Sequence, residues 1–142
     1  MEPDGWAVVG LPANFVSGAS VQVVSGTLLG RPADVRFTPV GYGWAYGDGQ
    51  AGASASRGAT WAELGQREFT DTPTSHRFAA SGRYDVTTTV TYSAEYRWAG
   101  SGWRPIAGTL DLPGATTSVL VGELDTVLVA GDCTANPSGP GC

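Results

Sequence analysis

The 142-residue chain carries eight basic and thirteen acidic side chains, a net charge of −5, and all eight basic residues are arginine. Without a basic stripe it lacks the charge that neutralises phosphates, which argues against nucleic-acid binding. Without lysine there is no Walker-type phosphate loop, no Schiff-base chemistry and no lysine isopeptide cross-link. The 21 glycines and 9 prolines, with 42% hydrophobic residues, fit one domain of short strands joined by many turns.

In chain order, residues 1–20 open with Met-Glu-Pro-Asp-Gly, unlike the basic start and apolar centre of a secretory signal. We expect a signal already removed from an extracellular or cell-surface protein, with 1–20 packing on a domain at 21–129. No apolar run reaches about 18 residues, so no membrane span is expected. Alternating or β-branched runs predict strands at 21–24, 35–38, 43–46, 75–78, 83–98, 106–112, 117–121 and 126–129. Between the third and fourth lies an insertion, 50–74. There Thr60 and Glu63 have capping-box spacing and Gly65 is placed to end the turn, which predicts one or two turns of helix.

The run 83–98 is the clearest. Tyr84, Val86, Thr88, Val90, Tyr92, Ala94, Tyr96 and Trp98 fall on one face, with polar residues on the other. Such a strand is roughly 50 Å long, far beyond the usual length. It is therefore expected to bend or bulge, or to leave the domain as a two-stranded ribbon. Residues 99–102 suit a hairpin loop, so a hairpin at 92–112 is expected to protrude, with Pro105 at an edge or bulge. In the tail, 130–142, turn-forming Asn-Pro and Ser-Gly-Pro-Gly lie between Cys133 and Cys142. A disulfide there would contribute about 2.5–3 kcal/mol by chain entropy and favour an oxidising compartment; the alternative is two free thiols.

Three motifs then occur in order: Trp44, Tyr46, Gly47, Asp48 and Gly49; His76 and Phe78; Gly82, Tyr84, Val86 and Val90. On these residues the chain resembles the PKD domain family, whose pattern is close to W-D-F-G-D-G, H-x-[FY] and G-x-Y-x-V-x-x-x-V. The resemblance covers 21–121 and is most specific over 35–91. Ala45 stands where the family usually has Asp, which weakens the case for a metal site using that position. The resemblance implies an all-β, immunoglobulin-like (PKD-type) β-sandwich in a secreted, stand-alone bacterial-type version. Here it would carry the short helix in its insertion and the long protruding hairpin. It further implies a buried Trp44, a corner Tyr84, and His76 in strand packing beside the turn.

Gly47-Asp48-Gly49 is read as a tight turn whose glycines take positive φ, with Asp48 accepting backbone hydrogen bonds. Asp48 as a calcium ligand or a catalytic carboxylate are the alternatives. Calcium needs six to eight oxygens; no D-x-D-x-D-G loop exists, and Asp48, Asp71 and Asp85 would have to converge. His76 is the single histidine and no G-x-S-x-G elbow accompanies it. Asp85 and Glu95 lie about 33 Å apart on an extended strand, too far for a glycosidase pair. One histidine and two tail cysteines make no zinc set. No enzyme activity, cofactor or metal is expected.

The binding candidates are Tyr92, Tyr96, Trp98 and Trp103 in or near the hairpin and Trp61 in the insertion. A ribbon beyond the sandwich needs cover from the insertion, from the segment around Trp6 and Phe15, or from a partner. Exposed rings anchor protein partners or stack on sugars. The family resemblance favours a non-catalytic cell-surface module for protein association or adhesion. A carbohydrate-binding module is the alternative, and a calcium-stabilised spacer a weaker one. An edge strand can pair with a copy of itself, so a monomer or weak homodimer is expected.

Overall fold

The structure, a computed structural model, describes residues 2–123. The expected strand at 126–129, the tail and its Cys133–Cys142 disulfide lie outside the described residues. Among the described residues, strands make up 58% and helix 3%, so the fold is all-β. The strands are β1 (Trp6–Val8), β2 (Pro12–Asn14), β3 (Gln22–Leu28), β4 (Arg31–Ala45), β5 (Ala51–Ser54), β6 (Ser75–Arg77), β7 (Gly82–Trp98) and β8 (Arg104–Gly122), with helix α1 (Trp61–Leu64) between β5 and β6.

The large sheet has the order β1-β8-β7-β4-β3, and β5 continues along the same edge of β4 beyond β3. A second sheet is only β2 paired antiparallel with β6. Because β2 and β6 are three residues each, they cover only the base of a sheet whose central strands run fifteen to nineteen residues. Between the two layers lie Phe15, Trp44, Tyr46, Phe78, Val86, Val119 and Val121, all buried. Fully buried Asn14 ties the small layer to the insertion. Its amide donates to Glu2 and to the Ala59 carbonyl at 2.7 Å, while its oxygen accepts the hydroxyls of Thr72 and Thr74.

α1 forms where the sequence signals it. Thr60 accepts the Glu63 N–H at 3.1 Å, Glu63 accepts the Thr60 N–H at 3.1 Å, and Gly65 closes the turn in the left-handed region (φ 68).

Above the base, the structure replaces the expected two-stranded ribbon with a four-stranded wing. Residues 21–24 and 35–38 are not isolated strands; they belong to one hairpin, β3–β4, turned by Leu29 (φ 52) and Gly30 (φ 78). This hairpin continues along β7 to Trp98, so the long strand is supported on both edges. Irregularities absorb the length. Register shifts at Pro39/Gly41 in β4, and β8 takes extra residues opposite Thr88 and opposite the Ser93–Ala94 step.

The register carries the alternation across the wing. Val24, Val35 and Tyr96 align in one row, Phe37, Ala94 and Ile106 in the next, and Tyr92 with Leu110 in a third. All lie on the face that, at the base, meets the core through Val86 and Val90. The opposite face is polar: Arg36 pairs with Glu95 at 3.0 Å and Arg97 with Asp34 at 2.6 Å. Hydrogen bonds from the Ser25 hydroxyl and then from Arg97 hold the Asp34 carboxyl below its ordinary pKa.

Base and wing therefore differ in what a truncation removes. Phe78→Ala should cost about 3–5 kcal/mol, read from urea midpoints. Leu110→Ser on the open wing face should change stability by less than about 1 kcal/mol.

Candidate functional site

Two places hold the residues singled out by sequence. The first is the turn after β4. Gly47 (φ 79) lies so close to β7 that an added Cβ would sit 2.7 Å from the Asp85 carbonyl oxygen. Asp48 Oδ1 accepts the Gln50 N–H at 2.9 Å, and Oδ2 lies 2.7 Å from His76 Nε2. The imidazole stacks flat on Tyr46, with ring centroids 3.8 Å apart, and meets Phe78 edge-on. Trp44 and Val86 are buried beside them. Tyr84 packs on Phe78 and donates its hydroxyl to the Ala80 carbonyl at 2.8 Å. Gly82 (φ 152) starts β7 under that ring.

These nine residues of the three motifs thus meet at one corner of the base. Burial alone would raise the Asp48 pKa; hydrogen bonds from His76 and from the Gln50 N–H outweigh it and hold the carboxyl below its ordinary value. Burial, and then the nearby Asp48 charge, push the Tyr46 phenol up. Both Asp48 oxygens are engaged within the protein, and among the described residues no three His, Cys, Asp or Glu side chains are grouped to hold a metal ion.

The second place is the wing. Tyr96 is 39% exposed on its apolar face. Trp98 lies at the end of that face, and its indole donates to the Leu28 carbonyl at 2.8 Å, tying β7 to the β3–β4 turn. Tyr92 is buried at the border with the core, edge-on to Phe37. Trp103 lies on the opposite, polar face, between the guanidinium groups of Arg36 at 4.3 Å and Arg97 at 4.5 Å.

Trp61 departs from its expected place at a binding surface. It opens α1 with its ring buried against Phe69, which also meets Trp6, and its indole donates to the Thr70 carbonyl at 2.9 Å. The five candidate rings therefore divide between two faces and a satellite core and form no coplanar row.

Most of the open apolar face is aliphatic and was not singled out by sequence. Val24, Leu28, Ile106, Leu110 and Leu112 are each 41–58% exposed. Their signal was present as alternation within β3 and β8, but neither strand advertises which face lacks cover. Lower down, a groove of about 560 Å³ between residues 15–19 and the Gly114–Thr117 stretch of β8 has Trp44, Val86, Val90 and Tyr92 along it. This extends the apolar surface toward the core.

No family model, curated protein or solved structure matches the chain. Among the described residues, no helix is long and apolar enough to cross a membrane.

The Asp48–His76 contact has a defined pH signature. A carboxyl with a depressed folded-state pKa adds stability above its unfolded value, near 4, and that stability is lost as pH falls through the folded value. Asp48→Asn should lower the urea midpoint at pH 7, and the gap to wild type should close as pH falls below about 4, the ordinary carboxylate value. Gly47→Ala should be destabilising at every pH, since both its φ and the Asp85 carbonyl oppose a Cβ.

Proposed function

We propose that the protein is a non-catalytic, PKD-like module of the cell exterior that associates with other proteins through the apolar face of its wing. The observation that carries this reading is the uncovered row of Val24, Leu28, Tyr96, Ile106, Leu110 and Leu112. Four strands about 4.8 Å apart and some seven residues long span roughly 20 by 23 Å. That is on the scale of the largest apolar patches of monomers, which are often functional. Aliphatic side chains dominate it, which suits a protein surface better than a sugar ring. The PKD resemblance supports the same reading: its three motifs meet at one corner, where Asp48 and His76 serve packing and turn formation. An immunoglobulin-like sandwich is the fold we assign on that resemblance, with the small sheet as a much reduced second layer.

A carbohydrate-binding module is the second reading, resting on the exposure of Tyr96. Cross-linking of labelled protein to intact source cells separates the two. Ile106→Ser with Leu110→Ser should remove most protein adducts while leaving the melting temperature within a few degrees. If those adducts persist undiminished, the wing face is not the association surface. Glycan-array retention abolished by Tyr96→Ala would shift the assignment to carbohydrate.

A further inference from the structure

The two edges of the wing are built differently. The β8 edge is interrupted: Pro105 and Pro113 lack N–H donors, Gly108 (φ 86) sits in a bulge, and Arg104 and Asp111 add charge. Those are the devices by which natural sheets prevent edge-to-edge pairing. β3 has none of them. Gln-Val-Val-Ser-Gly-Thr-Leu contains no proline and no charge, pairs with β4 without a register shift, and is exposed at every residue. The uncharged stretch runs from Gly5 to Gly30.

We propose that β3 is a strand-addition site whose occupant is the β3 of a second copy, paired antiparallel about a twofold axis at Ser25. An incoming strand must match a row with no charge to offer and with apolar side chains on one face. A second β3 meets both conditions. In this register Val23 faces Thr27, Val24 faces Gly26, and Gln22 faces Leu28 of the other copy. The pairing index is even, so each face keeps its character and the two apolar wing faces join on one side of an eight-stranded sheet. The inference rests on the association reading in taking the wing as uncovered, but uses backbone hydrogen bonds at the edge rather than side chains on the face.

Sedimentation equilibrium of the full chain across micromolar to millimolar concentration tests it. Val23 and Thr27 lie on the polar face, so Val23→Lys with Thr27→Lys leaves the apolar face intact and sets lysines opposite each other across the axis. Wild type should move from one chain mass to two, and the double lysine variant should dimerise at least tenfold more weakly. Val23→Lys with Thr27→Glu pairs lysine with glutamate across the same axis and should restore the dimer. It shares with the double lysine variant any cost of placing a lysine beside Arg36, so the comparison isolates the pairing across the axis. A wild type that stays at one chain mass throughout overturns the proposal and leaves the edge to a foreign strand. A dimer indifferent to both variants also overturns it, placing self-contact elsewhere without touching the reading of the wing face. Growth beyond two chain masses overturns the closed twofold arrangement.

Discussion

Phe78 lies fully buried between the layers, in contact with the rings of Phe15, Tyr46, His76 and Tyr84. Those contacts join the two-stranded sheet to the base of the large one, and they are the means by which so small a layer holds a long sheet. Burial of aromatic area is the dominant favourable contribution. Where the small layer ends, the large sheet continues, held laterally by ladder hydrogen bonds and by the charged staples of its polar face. The molecule is thus double-layered at one end and single-layered at the other, and the apolar face left open is a direct result of that difference in length.

Local signals were legible where one residue's role is set by its immediate neighbours. The capping box at Thr60 and Glu63 needs only four residues to form, and it forms. The alternation of β7 persists over a long run, so its register and its buried members, Val86 and Val90, follow from period two alone. The turn at Asp48 could be read because glycines flank it, and its carboxylate does accept a backbone N–H.

What could not be read locally was lateral company. Residues 21–24 and 35–38 look like short strands because glycines and an Arg-Pro pair lie between them. The polypeptide instead uses Leu29-Gly30 as the turn and draws both segments out along β7. Trp61 looked like an exposed ring in a polar insertion, but the first position of a one-turn helix can point inward, toward Phe69. Trp103 follows the β7 pattern in composition yet falls on the other face, because the 99–102 loop intervenes before β8 begins. The pairing of Asp48 with His76, twenty-eight positions apart, is likewise a product of folding rather than of spacing.

β4, β7 and β8 pass without a break from the hydrophobic base to the free end of the wing. Tension applied at that end travels along covalent backbones, and it meets the base as shear spread over many hydrogen bonds loaded side by side. β3, turned at its tip by Leu29-Gly30 and bonded along one flank, is loaded instead like a zipper opened from its tip. A tether attached to the central strands would resist force that a tether on β3 would release, which makes the point of attachment a mechanical choice as well as a chemical one.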